Sequence, residues 1–562
     1  MNRLILTLLV AILSFGVSSL AQRVHIHSID ELNRKSGKDT HLKENRYRLE
    51  PDFRTIVELD KDILGFPKLH YPRIKKLKDG SYILFYQSSR IGYSCYCAYS
   101  KDGINWEKGG AVFKGHKIVN SAGEQDDRAY STVDAVVLDN GDILAFVSYR
   151  AVKGYKRLIQ DDGLCMKRST DGGRTWGEEQ ILYTTITWEP YALQLPSGEV
   201  QVYFTDSDHD WRPPSSGVTM LRSFDRGHTW QTNRQVIRQY RATATRVDGK
   251  PGTRKVWTDQ MPSVVLLGDG KTLLAAVESQ DSTNHFKITL VEDKTNFATT
   301  LTGDMVGPPE RVDNFRSGGG PYLARFPSGE IALSFQGNYF NIKLGLSTMN
   351  SIVKGPPYQP FGQKRSLWGS MEVIDAHTMF AVAPHLDQKT EYGTIMIGKQ
   401  RLNHRIDAPF MRANIDGDNI EWGANTDALF LGSDSQAQCS FRFAYDDSTF
   451  YILVEYLDEE LVPRDKIVLK FCDGFAQGDV FEATIKCAYK GLEVSRNVYA
   501  KTYEEPGRGY LVEMAIPISE LPFNPDKRIF FFGEIHKIGV LDTFTLVSES
   551  NRGQWMPIKL AL

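Results

Sequence analysis

Trp188-Glu189-Pro190-Tyr191, continuing through Ala-Leu-Gln-Leu-Pro-Ser-Gly198-Glu-Val-Gln-Val-Tyr to Phe204, sets an acidic residue at the mouth of an apolar strand. A Gly-containing turn follows, and a second strand returns to Asp206. The unit recurs. Leu77-Lys-Asp-Gly80, Leu138-Asp-Asn-Gly141, Leu195-Pro-Ser-Gly198, Leu267-Gly-Asp-Gly270 and Phe326-Pro-Ser-Gly329 each lie between two apolar, β-rich runs. Gly supplies the positive φ that a tight hairpin needs. A sixth copy without the Gly runs from Trp368 through Met371-Glu-Val-Ile-Asp-Ala-His-Thr-Met-Phe380 to Ala383. Successive glycines stand 61, 57, 72 and 59 positions apart, room for four strands and their loops. Such a period predicts six propeller blades in an all-β chain.

A second repeated element falls between the hairpins. Ser169-Thr-Asp171-Gly-Gly173-Arg-Thr-Trp176 and Ser223-Phe-Asp225-Arg-Gly227-His-Thr-Trp230 fit Ser-x-Asp-x-Gly-x-Thr-Trp at every fixed position. Ser100-Lys-Asp102-Gly103-Ile-Asn-Trp106 is a copy one residue shorter. In such a turn the Asp and Ser side chains bond the backbone and the Trp packs between sheets. The element resembles the Asp-box of the sialidase superfamily. That resemblance implies a sialidase-like propeller, with these turns on the face opposite the active site.

From about Arg401 the pattern changes. Ile415-Asp-Gly-Asp-Asn-Ile-Glu421-Trp422, Phe450-Tyr-Ile-Leu-Val-Glu-Tyr456 and Gly509-Tyr-Leu-Val-Glu-Met-Ala-Ile-Pro517 alternate as strands of a β-sandwich do. These motifs look like those of family 9 carbohydrate-binding modules. The expected organisation is a signal peptide over 1–21, a propeller over 22–403 and a sandwich over 404–562.

Composition narrows the function. Lys plus Arg (67) nearly balance Asp plus Glu (69), which argues against a nucleic-acid partner. Arg3, the apolar run Leu4 to Val17 and Ser19-Leu20-Ala21 read as a secretory signal, and the run is too short to span a membrane. A secreted or periplasmic protein without membrane insertion is expected. Six Cys are too few for a disulfide scaffold, and no metal-ligand spacing appears. Neither metal nor cofactor is expected.

In a blade the first strand starts on the face that bears the site, and the second climbs back to it. That rule selects Arg73, Asp134, Glu189, Gln260 and Arg316 at first-strand starts, and Arg90, Arg150, Asp206, Glu278 and Gln336 at second-strand ends. His209 follows as a subsite candidate, and Trp188 and Tyr191 as aromatic platforms for sugar faces. Glu189 and Glu278 each abut apolar strand residues, where burial raises a carboxyl pKa. Glycoside hydrolysis wants such a pair, one acid to protonate the leaving oxygen and one carboxylate to attack or activate water.

Tyr71-Pro-Arg73-Ile, Trp188-Glu189-Pro-Tyr, Gln260-Met-Pro262 leading to Glu278, and Gly320-Pro-Tyr leading to Gln336 look like the blade starts of glycoside hydrolase family 93, exo-acting arabinanases. The similarity implies Glu189 as nucleophile and Glu278 as acid/base of a retaining mechanism, acting on an oligosaccharide or polysaccharide such as an α-L-arabinofuranosyl chain. Two alternatives stay open: a sialidase-like hydrolase that grips an acidic sugar with Arg73, Arg90, Arg150 and Arg316, and a propeller that binds glycans without cleaving them.

Overall fold

The computed structural model describes residues 24–27, 42–43, 49–52, 55–207, 216–231, 233–238, 243–245, 253–255, 257–280, 286–298, 318–354, 357, 359–362, 364–387, 390, 392–402, 404–424, 428–434, 437–458, 462–463, 465–488, 491–494, 498–537, 543–545, 549, 552 and 555–561. They form two compact units, Met1–Thr40 with Arg405–Leu562, and His41–His404. The signal peptide expected over 1–21 lies outside the described residues.

The second unit is a six-bladed β-propeller. Its antiparallel blades open with the strands His70–Lys76, Gln125–Val137, Thr187–Gln194, Gln260–Leu266, Gly319–Arg325 and Ser370–Val373. Each opening strand packs against the opening strands of the blades before and after it, and the last, Ser370–Val373, packs on the first, His70–Lys76. The ring is therefore closed, and these six strands surround its axis. The second strands, such as Tyr82–Gln87 and Val200–Asp206, are buried along their whole length because neighbouring blades cover both faces. This is why they read as continuous apolar runs.

All five Gly hairpins close in one way: the N–H groups of Gly80, Gly141, Gly198, Gly270 and Gly329 donate to Leu77, Leu138, Leu195, Leu267 and Phe326 carbonyls at 2.9–3.0 Å. The sixth blade turns without Gly, Ile374 N–H donating to Thr378 O at 2.9 Å. That blade takes its outer strands from far upstream, since Val57–Leu59 and Leu49–Pro51 both pair with Gly393–Leu402. Arg401 and Asp52, both buried, lock this closure through a 2.9 Å ion pair.

The Ser-x-Asp turns lie at the hairpin end, because Ser100, Ser169 and Ser223 pair with Tyr82, Ile143 and Val200. In the second copy Asp171 accepts from Thr175 N–H and Oγ1 at 2.9 and 2.6 Å, and Ser169 Oγ accepts from Gly173 N–H at 2.8 Å. Bonding to Thr175 and its neighbours holds the Asp171 pKa down at about 2. Trp176 and Trp230 then meet Phe85 and Phe146 of the preceding blade edge-on, with ring centroids 5.9 and 5.6 Å apart.

The other unit is a β-sandwich. One sheet runs in the order 429–434, 437–445, 449–457, 509–517, 499–505, and the other contains 404–408, 556–560, 528–536, 466–472, 480–488 and 491–494. Phe441 and Phe443 of the first sheet meet Phe531 of the second across the core. Val24–His27 belongs to this unit, a correction to the reading that begins the propeller at residue 22. Ile26 is buried beside Trp422, and His27 donates its N–H to Glu455 Oε1 at 3.1 Å. Burial opposes ionisation of Glu455, but Arg442 and then His27 outweigh it and hold the pKa at about 2. Trp422 and Trp555 are both buried, so neither offers a ring face to a sugar.

Candidate active site

At one level of the six inner strands the chain repeats one device. Tyr71 (φ 51°), Thr132 (61°), Glu189 (45°), Met261 (49°), Gly320 (55°) and Trp368 (54°) are all left-handed. In four blades the next residue is Pro72, Pro190, Pro262 or Pro321, and the ladder bulges there. A non-Gly residue held in this region costs roughly 1–3 kcal/mol, so the surroundings must impose it. At five of the six a side chain from the blade before supplies that constraint by accepting the left-handed residue's N–H. Gln87 Oε1 takes Thr132 N–H at 2.7 Å, Thr132 Oγ1 takes Glu189 N–H at 3.1 Å, and Thr205 Oγ1 takes Met261 N–H at 2.9 Å. Glu278 Oε2 takes Gly320 N–H at 2.7 Å, and Gln336 Oε1 takes Trp368 N–H.

This device brings Glu189 and Glu278 to the same end of the ring, one from an inner strand and one from the end of a second strand. Glu189 is half-buried, and its Oε2 accepts the Thr205 hydroxyl at 2.7 Å. Burial, reinforced by the nearby Glu278 carboxylate, pushes its pKa up to about 8, with Thr205 and Arg73 pulling the other way. Glu278 is 8% exposed. Burial pushes its pKa up to about 7 against the Gly320 hydrogen bond. Gly319 leaves the space that this carboxylate fills, since a Cβ there would stand 2.6 Å from Glu278 Oε2. Among the described residues neither glutamate is in an ion pair. Tyr71, stacked on Trp368 with ring centroids 4.5 Å apart, feels both carboxylates after its own burial, and its hydroxyl pKa is raised.

Arg73, Asp134, Glu189, Tyr191, Met261 and Tyr322 line one pocket on the axis. Its polar side is a closed network. Asp134 is 3.2 Å from Lys75 Nζ and accepts the Tyr322 hydroxyl at 3.2 Å, and Lys75 donates to Tyr322 at 2.8 Å. Lys75 stays cationic despite burial because Asp134 and Glu372 face it. Arg73 donates to Pro72 O and Trp368 O, both at 2.9 Å, and sits 5.3 Å from the Tyr322 ring centre. Tyr191 packs edge-on against Tyr322.

The remaining candidates scatter. Trp188 is half-buried, donating from Nε1 to Tyr155 OH at 2.8 Å, and Gln260 pairs across the ladder from Glu278. Arg90 is exposed, 5.7 Å from the Trp368 ring centre. Gln336 is buried in its capping role. Arg150 lies under Trp188, donating to Ser131 Oγ at 2.8 Å and to the Ile91 and Gly92 carbonyls, so its guanidinium holds a loop rather than an acidic sugar. Asp206 is a correction: its carboxylate turns into the seam with the preceding blade, where it meets Tyr183 OH at 3.4 Å, Thr219 Oγ1 at 3.0 Å and Arg234 at 3.2 Å. His209 and Arg316 lie outside the described residues. Sequence reasoning passed over Tyr71, Lys75, Thr205 and Tyr322; the repeated residue before Pro was the available signal for Tyr71.

No protein-family profile and no curated protein matches the sequence. Solved structures do. A Dyadobacter fermentans protein of unknown function is 15% identical over 63% of this chain and 99% of its own, with a TM-score of 0.47. The family 93 α-L-arabinofuranosidase of Fusarium graminearum, in complex with arabinobiose, is 15% identical over 62% of this chain and 98% of its own, with a TM-score of 0.43. A family 9 carbohydrate-binding module from Caldicellulosiruptor kristjanssonii, in complex with cellotriose, is 20% identical over 28% of this chain and 93% of its own, with a TM-score of 0.24. The last two represent the families that the sequence motifs resemble.

Proposed function

We propose that the protein is an exported, exo-acting glycoside hydrolase whose two carboxyl groups are Glu189 and Glu278. The observation that carries this reading is their meeting at one end of the propeller axis, Glu278 buried and Glu189 half-buried beside it, with neither in an ion pair among the described residues. A glycan-binding propeller has no use for two acids held in that state. Ionising one carboxyl disfavours ionising the other, so near neutral pH the pair holds one proton between them. Two-carboxylate hydrolysis needs this state. About 8 and about 7 are close, and positive charge developing at the anomeric carbon beside Glu189 favours its carboxylate form, leaving the proton on Glu278. Glu189 then attacks, Glu278 protonates the leaving oxygen, and in the second half Glu278 deprotonates the water that releases the sugar. The substrate class most in keeping with the sequence motifs is an α-L-arabinofuranosyl chain.

The sialidase-like alternative needs converging guanidiniums, and Arg150 is engaged by main-chain carbonyls instead. Chromogenic arabinofuranosides, sialosides and uronides, offered to wild type, Glu189→Gln and Glu278→Gln, test the reading. Arabinofuranoside turnover is expected to fall at least a hundredfold in each variant. Activity persisting in both ends the two-carboxylate proposal. NMR of the anomer first released distinguishes retention from inversion.

A further inference from the structure

In five blades a side chain accepts the N–H of the left-handed residue in the blade after; Gln87 and Thr132 spend their own protons on main-chain carbonyls, and Glu278 is itself a candidate acid. Blade three is different. Its acceptor, Thr205, is fully buried and bonds both Glu189 and Met261. Met261 N–H can only donate, so the Thr205 oxygen accepts it at 2.9 Å. The hydroxyl has one proton, and the acceptor within reach is Glu189 Oε2 at 2.7 Å. When Glu189 is ionised its carboxylate can only accept, so the chain runs from Met261 N–H to Thr205 Oγ1 and from Thr205 O–H to Glu189 Oε2. Met261 follows Gln260, which pairs across the ladder from Glu278.

Resting on the glycosidase reading, we infer that Thr205 is a positioning residue: it pins one oxygen of Glu189, favours that group as the carboxylate, and ties it to the strand pair that carries Glu278. A hydroxyl donor to a carboxylate stabilises the ionised form, and the low dielectric of the pocket strengthens the effect. Among the described residues the other charged or titratable groups facing Glu189 are Glu278, Arg73, Tyr71 and Tyr155, with Asp134, Tyr191 and Tyr322 lining the same pocket. Of these, only Arg73 also favours ionisation. The free oxygen of Glu189 is the one left to attack.

The test compares wild type, Thr205→Val and Thr205→Ser by the pH titration of the Glu189 carboxyl, followed by 13C NMR with labelled glutamate and assigned by the resonance that Glu189→Gln loses. Val removes the donor at nearly constant volume, and Ser restores it. The acidity constant of Glu189 is expected to fall about tenfold or more in Val and to return in Ser. On a cleaved substrate, kcat is expected to fall about ten- to a hundredfold in Val with KM little changed. Val also leaves Met261 N–H without its acceptor, so a melt is run alongside. If Val does not fold, Thr205→Cys, a weaker donor, carries the same comparison. An unmoved Glu189 titration in a folded Val or Cys variant, or equal effects of Val and Ser, overturns the inference. Wild type that cleaves no glycoside sinks the hydrolase reading instead, and the carboxyl titration still decides the role of Thr205.

Discussion

Glu278 occupies the position at which two other blades place a neutral amide, Gln87 and Gln336, each accepting the left-handed residue's N–H of the following blade. The structural task therefore needs an acceptor oxygen and not a charge, and a buried acid there is a stability liability. The sign follows from proton counts. Glu189 and Glu278 ionise at about 8 and about 7 in the folded protein against 4.5 unfolded, so the folded state binds more protons between those limits and stability falls as pH rises through them. Glu278→Gln is expected to melt with wild type near pH 4 and above it at pH 8. The difference should be on the order of a few kcal/mol, read from melts across that range. A Gln variant less stable than wild type at pH 8 means the charged form makes contacts beyond the Gly320 N–H.

At the scale of elements, the Ser-x-Asp turn is a self-contained knot of hydrogen bonds whose Trp does the long-range work. Trp230 is half-buried and packs on Phe146, one blade back. Trp230→Ala should lower stability by on the order of 2–3 kcal/mol, short of the full loss for a completely buried Trp. The Glu189 carboxyl titration should stay where it is, since the turn lies at the opposite end of the blade. A melt and a 13C titration of the same sample check both halves. The inner-strand starts work in the reverse sense: each left-handed residue is locally strained, and the neighbouring blade holds it there.

For the whole molecule, the ring closes where Leu49–Pro51 and Val57–Leu59 join the blade formed by Ser370–Leu402, more than three hundred residues later. Loop closure over that length adds entropy only slowly, but the joint must still hold. The Arg401–Asp52 pair, buried on both sides, is the electrostatic part of it. Asp52→Ala leaves a buried guanidinium without its carboxylate and should destabilise the propeller by about 3–5 kcal/mol. Denaturant unfolding followed by propeller tryptophans measures this, and a loss under about 1 kcal/mol shows that strand pairing alone holds the ring.

By itself the sequence determined the number of blades, the hairpins, the Ser-x-Asp turns, the change of architecture near residue 401 and the two glutamates worth watching. These rest on contacts within a few residues of each other, so turn chemistry and strand period suffice to read them. Only the tertiary structure decided that Thr205 bonds Glu189 while Asp206 turns into a blade seam, that Arg150 holds a loop, and that Val24–His27 packs on the sandwich. Side chains alternate along a strand, so one residue changes the face, and a bulge at four of the inner-strand starts shifts the count. Which of two adjacent polar residues points at the axis is settled by the blade packed beside them, and no local pattern records that neighbour.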